Sequence, residues 1–203
     1  MSKVLIAGAS GYLGGYVVRE LKAKGYSVRA LTRNQQKIGY LTADIDEIFS
    51  GEVTRAKSIE GICGGIDYVI STIGITRQKD GLTYMDVDYQ GNMNLLEQAK
   101  KSKVQKFIYI SVLNAHLMMD VKGIQAKERF VEQLKASGLD YSIIRPSGFF
   151  SDMREFLEMA KRGRVYLFGS GNDRINPIHG ADLAEVCVNA INDDRLELNI
   201  GGP

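Results

Sequence analysis

The sequence contains few of the residue types that mark metal or redox proteins. It has no tryptophan, two histidines, two cysteines and three prolines among 203 residues. The histidines, His116 and His179, are too few and too scattered for a metal site, and Cys63 and Cys187 have no metal-ligand spacing. We therefore expect no bound metal. We expect the cysteines to be small buried apolar side chains in a reducing compartment rather than redox groups.

An excess of one charge and long apolar runs are also lacking. Lys and Arg total 26 against 24 Asp and Glu, a net charge of +2. The chain therefore lacks the excess of basic residues that is typical of nucleic-acid-binding proteins. No apolar run approaches the roughly 18 residues that a transmembrane helix needs. The opening MSKVLIAGAS lacks the apolar core of a signal peptide. We expect a cytoplasmic protein with neither a nucleic-acid partner nor a membrane partner.

Short apolar strands alternate with amphipathic helices along the chain. Strands are predicted at residues 3–7, 27–31, 47–49, 67–73, 106–112, 141–145 and 196–200. Helices are predicted at residues 12–24, 85–101, 124–136 and 181–191, and a turn or short hairpin at 163–173. This alternation predicts an α/β protein with a doubly wound parallel sheet and helices on both faces.

A glycine turn follows the first strand and opens the first helix. Gly8, Gly11 and Gly14 have the spacing G-x-x-G-x-x-G. Such glycines allow a tight turn, close approach of a pyrophosphate and close packing of helix on strand, and the helix N-terminus attracts phosphate. We predict that a dinucleotide lies against this turn; the alternative is a glycine-rich turn without a ligand. The predicted contact residues are Gly8, Ser10, Gly11, Tyr12, Leu13 and Gly14.

The end of the second strand indicates which dinucleotide is bound. NAD sites usually place an acidic residue there, but this strand runs SVRALTR and ends at Arg33. An arginine pairs with a 2′-phosphate through charge-assisted bonds, with the Ser10 hydroxyl as a further candidate donor. The sequence therefore predicts NADP(H) in preference to NAD. The alternative is that Arg33 is only a solvated loop charge.

With the glycine turn, Arg33 and the late segment RPSGFF, the chain resembles the short-chain dehydrogenase/reductase superfamily. Within it, the chain is similar to the atypical branch of NmrA-like NAD(P)-binding proteins, which includes divinyl chlorophyllide reductases, isoflavone reductase-like enzymes and redox-sensing regulators. The similarity covers nearly the whole chain, including VDYQGNMNLLEQAKKSKVQKFIYIS and NPIHGADLAEVCVNAI. It implies one Rossmann-type NAD(P)-binding domain over residues 1–203. Residues 147–203 would be a partial substrate-side region, with the C-terminal subdomain truncated or missing.

The resemblance also assigns roles to individual residues. Glu52, where the family more often has Asp, and Val53 would approach the adenine. Ser111 falls on the catalytic serine position, and Lys127 on the lysine that bonds the nicotinamide ribose. The alternatives are a capped strand end for Ser111 and a solvated helix lysine for Lys127. The residues that would close over the cofactor and frame the nicotinamide are Thr72, Ile73, Gly74, Pro146, Gly148 and Phe149.

One departure from the superfamily affects the predicted chemistry. The usual dyad is Tyr-x-x-x-Lys, but Gly123 stands four residues before Lys127, and none of the ten tyrosines has a lysine four positions on. Hydride transfer to a conjugated double bond needs this acid less than alcohol–ketone chemistry does. We expect an NADP(H)-dependent oxidoreductase acting on a small or cyclic unsaturated substrate. The alternatives are a non-catalytic redox sensor or assembly factor with a protein partner, and, less favoured, a nucleotide-sugar epimerase.

Overall fold

The computed structural model describes residues 1–75, 81–166 and 174–202, and its centre is a seven-stranded parallel sheet. The strand order is β3-β2-β1-β4-β5-β6-β7, and each neighbouring pair is parallel. The order reverses between β1 and β4, which is where ligands bind in doubly wound sheets. The predicted fold class is confirmed. The strands are β1 Lys3–Ala7, β2 Ser27–Thr32, β3 Glu47–Ser50, β4 Tyr68–Ser71, β5 Lys106–Ile110, β6 Asp140–Pro146 and β7 Glu197–Ile200.

Helices cover both faces of the sheet. The α-helices are α1 Tyr12–Ala23, α2 Asn92–Lys101, α3 Lys122–Lys135, α4 Met153–Lys161 and α5 Gly180–Asn189. On one face, Val17 of α1 and Leu183 of α5 share a buried core with Ile6 of β1. On the other face, Leu95 of α2 and Phe130 of α3 pack in a second core. Helix α1 ends as predicted, because Gly25 takes the left-handed conformation, φ +81°, just beyond it.

Several element boundaries differ from the sequence predictions. The fourth and fifth strands end at Ser71 and Ile110, two residues earlier than predicted, although Thr72 and Ser111 still donate backbone hydrogen bonds to the neighbouring strands. The predicted helix 85–101 is a π-helix, Met85–Gly91, followed by α2. Helix α4 was not predicted, and none of its residues is buried in the described structure. Of the predicted turn at 163–173, residues 167–173 lie outside the described part of the chain.

The cysteines occupy the environments predicted for them. Cys63 and Cys187 are both buried and unpaired. Burial raises the pKa of the Cys63 thiol to about 12 and also raises that of Cys187, so both are protonated at neutral pH. Across the described ranges, no cluster of three or more His, Cys, Asp or Glu has the geometry to hold a metal ion. No helix within those ranges combines the length and apolar character needed to cross a membrane.

Candidate dinucleotide-binding site

A cleft of about 350 Å³ opens at the carboxyl ends of β1 to β4. This volume lies within the range typical of ligand sites, and the position is the one at which the strand order reverses. Nine residues predicted from the sequence line it: Gly8, Ser10, Gly11, Arg33, Glu52, Val53, Thr72, Ile73 and Gly74. The rest of its wall is formed by Leu31, Thr32, Gly51, Thr54, Ile75, Leu82 and Val87.

The glycine turn has the shape that a bound pyrophosphate requires. Gly8 has φ +97°, and a Cβ there would lie 2.5 Å from Thr72 Oγ1. A Cβ on Gly14 would lie 2.1 Å from the Gly8 carbonyl oxygen, so helix α1 approaches the turn more closely than any side chain allows. Gly11 caps α1 without a side-chain hydrogen bond. The first N–H groups of a helix have no intrahelical partners, and the cap residue Gly11 lines the cleft, which suits a phosphate.

Arg33 and Glu52 meet at the edge of the cleft. Arg33 follows β2 and Glu52 follows β3, and the parallel register brings the two strand ends side by side. Arg33 Nη1 lies 3.5 Å from Glu52 Oε1, with the Arg33 side chain 59% exposed. The structure thus places a cation suited to a 2′-phosphate beside the carboxylate that the resemblance assigns to the adenine.

A buried carboxylate fixes the loop after β4. Asp88, in the π-helix, is 1% exposed, and its Oδ2 accepts a hydrogen bond of 3.1 Å from the Ile75 backbone N–H. Its Oδ1 lies 3.1 Å from Lys127 Nζ. A Cβ on Gly74 would lie 2.8 Å from Asp88 Oδ1 and 2.9 Å from Lys127 Nζ. Gly74 is therefore required for the loop to lie directly on this ion pair.

Lys127 occupies a mostly buried position beside the cleft wall. Its side chain is 20% exposed, and Nζ lies 5.5 Å from the centroid of the Tyr109 ring. Burial alone would lower the pKa of Lys127, but the neighbouring Tyr109 and Asp88 outweigh burial and raise it. Lys127 is therefore an ammonium group at neutral pH and not the solvated helix lysine of the alternative interpretation.

Asp88 and the network behind it are not among the residues predicted from the sequence. Asn92 donates to the Asp88 carbonyl at 2.8 Å and accepts from Ser71 Oγ at 2.5 Å, which ties the π-helix to β4. A signal existed in the sequence: positions 88 and 92 continue the helical spacing of the buried Leu95 and Ala99. Polar residues on a buried face indicate a hydrogen-bonded network. π-Helical turns also occur frequently at functional sites.

Ser111 lies in a different network from Lys127. Its hydroxyl donates to Glu128 Oε1 at 2.5 Å and accepts from Arg145 Nη1 at 3.3 Å. Arg145 forms two further bonds to Glu128, at 2.7 and 2.9 Å, and one to Glu197 at 2.9 Å. The Ser111 hydroxyl is therefore hydrogen-bonded within a cluster of charged side chains from α3, β6 and β7. The catalytic role implied by the resemblance stays a prediction.

The segment predicted to frame the nicotinamide meets the start of α1. Pro146 is buried at the end of β6, while Gly148 is exposed. The Phe149 ring packs edge-on against Tyr12, with centroids 5.6 Å apart. Tyr12 also accepts a hydrogen bond from the Gly180 backbone N–H at 3.2 Å. The segment is thus tied to the glycine turn through aromatic contacts.

Local packing defines two further positions, His179 and Gly123. His179 caps α5, where its Nδ1 accepts a hydrogen bond from the Ala181 N–H at 3.2 Å. At Gly123, a Cβ would lie 3.2 Å from the Tyr84 ring. Tyr84 therefore occupies part of the space that a tyrosine at position 123 would need.

Together the sheet order, the glycine turn and the cleft define a dinucleotide-binding α/β protein. The family described as NAD(P)H-binding matches residues 8–194, and the chain belongs to this family. Its relatives include reductases, so the resemblance inferred from the sequence is confirmed.

Three known proteins illustrate the similarity. The photosystem II assembly factor Ycf39 of Cyanophora paradoxa is 34% identical over 74% of this chain and 46% of its own length. The chloroplastic divinyl chlorophyllide a 8-vinyl-reductase of Arabidopsis thaliana is 29% identical over 98% of this chain and 53% of its own length. The triphenylmethane reductase of a Citrobacter species, solved with NADP(H), has a TM-score of 0.80 at 17% identity, covering 100% of this chain and 70% of the other. The chain thus spans about half the length of these two curated relatives.

Proposed function

We propose that this chain is an NADP(H)-dependent reductase that transfers hydride to a small or cyclic unsaturated organic molecule. The observation that carries the proposal is the position of Lys127. Its ammonium is fixed by Asp88 directly against Gly74, on the wall of the dinucleotide cleft. A buried ammonium held at a cleft wall suits a role in positioning a ribose. The reductases among the similar proteins support the reaction class.

Each part of the cleft has a separate task in this proposal. The N-terminus of α1 would hold the pyrophosphate, Arg33 the 2′-phosphate, and Lys127 the nicotinamide ribose. The cofactor supplies the hydride when it is bound. The loop after β4, held by Asp88, would keep the nicotinamide ribose within reach of Lys127. We also propose a cytoplasmic location, because two buried unpaired cysteines suit a reducing compartment.

Turnover with defined probes tests the proposal. NADPH oxidation is measured with cyclohexenone, menadione and free flavin, and deuterium-labelled NADPH shows whether hydride reaches the product. We expect transfer to at least one acceptor. Lys127→Met is expected to raise KM for NADPH and lower kcat, because the ribose loses its positioning group. The matched control is Lys122→Met, which removes an exposed lysine from the start of the same helix. Failure of the label to reach any acceptor would contradict hydride transfer.

A second candidate function is a non-catalytic redox sensor or assembly factor. Gly123 favours it, because the usual proton donor is missing and Tyr84 occupies part of its space. The relative named as an assembly factor also favours it. In this case NADPH binds, no acceptor is reduced, and a protein partner binds the NADPH and NADP+ forms with different affinity. Pull-down from lysate with each form of the cofactor, followed by titration of the recovered partner, separates the two functions.

A further inference from the structure

Glu52 contacts two arginines, one on each carboxylate oxygen. Arg33 Nη1 lies 3.5 Å from Oε1, and Arg55 Nε lies 3.4 Å from Oε2. Arg33 was predicted from the sequence to bind phosphate, whereas Arg55 was assigned no role. Two guanidinium groups therefore flank a single carboxylate at the adenosine end of the cleft.

Arg55 is held near the cleft by a closed turn. The Arg55 N–H donates to the Glu52 carbonyl at 2.9 Å, and the Ser58 N–H donates to the Arg55 carbonyl at 2.8 Å. Ser58 Oγ also accepts from the Glu52 N–H at 2.9 Å. The turn fixes the spacing between Glu52, which lines the cleft, and Arg55. The turn thus fixes the Arg55 backbone beside Glu52, and the ion pair then brings its guanidinium to the carboxylate.

The ion pairs are weak enough to exchange. The Arg33 and Arg55 side chains are 59% and 78% exposed, whereas Glu52 is 23% exposed. Ion pairs between solvated side chains add little stability. A phosphate group carries more negative charge than a single carboxylate and offers three oxygens to guanidinium groups. It would therefore draw both arginines away from Glu52.

From this geometry we infer that Arg33 and Arg55 together bind the 2′-phosphate of NADP(H), and that Glu52 competes with the phosphate for them. The inference rests on the proposed cofactor site. Glu52 sets the strength of cofactor discrimination, because its charge opposes the phosphate while the two arginines attract it. NADH leaves both ion pairs intact, since it has no 2′-phosphate.

Binding measurements on the full chain test the inference without any turnover. Dissociation constants are measured for NADPH and NADH, and for adenosine 2′,5′-bisphosphate and AMP, which lack the nicotinamide. Arg55→Gln is expected to weaken NADPH and the bisphosphate about fivefold to tenfold and to change NADH and AMP less than twofold. Glu52→Gln is expected to tighten NADPH about threefold or more without tightening NADH. Arg162→Gln is the matched control, since it removes an exposed arginine at the end of α4.

The outcomes separate this inference from the proposed function. If the unmutated protein binds neither dinucleotide, the proposed function fails and the inference falls with it. If it binds NADPH but Arg55→Gln behaves like Arg162→Gln, only the inference is overturned. If Glu52→Gln weakens NADPH and NADH equally, Glu52 positions the adenosine and does not compete. Thermal denaturation of each variant shows that the fold is kept, and added salt should reduce the difference between NADPH and NADH.

Discussion

Gly14 occupies a position where the backbone of the glycine turn leaves no room for a side chain. A Cβ there would lie 2.1 Å from the Gly8 oxygen and 2.7 Å from the Gly8 carbonyl carbon, both backbone atoms. Gly14→Ala must displace α1 from the turn, and we expect a loss of about 2–3 kcal/mol in the free energy of unfolding. Urea denaturation measures it. Gly39→Ala is the control, because no atom lies within 4 Å of its added Cβ, and it should be neutral or slightly stabilising. Equal stability of the two variants would contradict the close approach.

Tyr109 gives the protein a pH dependence on the alkaline side. Burial raises the pKa of its phenol from 10.0 to about 12, against the opposing charge of Lys127. A group whose pKa is raised by folding stabilises the protein below its unfolded pKa and loses that effect as the pH rises to the folded value. We expect the unfolding free energy to fall by on the order of 2 kcal/mol between pH 10 and pH 12.

Tyr109→Phe tests this directly. The variant should lose most of the alkaline decline, because Tyr109 is also the largest of the causes that raise the pKa of Lys127. Since the hydroxyl is buried without a hydrogen-bond partner among the described residues, its removal should also leave the protein at least as stable at neutral pH. Denaturation curves at several pH values measure both effects. An unchanged alkaline slope would show that Tyr109 does not titrate with unfolding.

The residues that sequence reasoning could place are those with a local signature. Gly8 and Arg33 are recognised from their positions in a strand-turn-helix unit. Asp88 was missed, because its partners Ile75 and Lys127 come together only through tertiary packing. Ser111 was assigned from resemblance alone, and the direction of its hydroxyl depends on Glu128 in another element.

At the scale of elements, helix α3 supplies two charged networks from adjacent positions. Lys127 points to Asp88 beside the cleft, and Glu128 points to Arg145 on β6. Glu128→Gln would leave Arg145, 12% exposed, with Glu197 as its one charged partner among the residues that the structure describes. We expect the free energy of unfolding to fall by about 2–3 kcal/mol. This is less than the roughly 3–5 kcal/mol expected when removal of one partner leaves a buried charge unpaired. Chemical denaturation checks this value.

An exposed ion pair of α4 provides the control for that prediction. Glu158→Gln removes the partner of Lys161, whose side chain is 60% exposed, and should change stability by less than about 0.5 kcal/mol. If Glu128→Gln destabilises no more than Glu158→Gln, the cluster around Arg145 does not contribute to folding.

The strands were predicted more reliably than the helices for a physical reason. β1 and β5 are buried on both faces and appear in the sequence as continuous apolar runs. Helix α4 has nine residues with no buried face, so no core contact marked it. The π-helix needs the buried bonds of Asp88 and Asn92, and helical periodicity alone does not distinguish it from α-helix.

For the whole molecule, cofactor binding and stability are linked. NADPH at 100 times its dissociation constant should raise the unfolding free energy by about 2.7 kcal/mol, which is a melting shift of about 5–10 °C for a chain of this size. If Arg33 binds the 2′-phosphate as proposed, NADH at the same concentration should shift the melting temperature less, because such a charge-assisted contact would add about 1.5–3 kcal/mol. Thermal scans with each dinucleotide measure the difference. Arg33→Ala should reduce the NADPH shift and leave the NADH shift unchanged; equal shifts in the unmutated protein would contradict the preference.

The contact between Tyr12 and Gly180 has a consequence for biosynthesis. The two residues are 168 positions apart, and α1 packs beside α5. The glycine turn is therefore synthesised well before the helix that supports it. Until α5 has been made, the nascent chain must hold the glycine turn without that support. NADPH should not protect ribosome-bound chains from proteolysis until α5 has emerged.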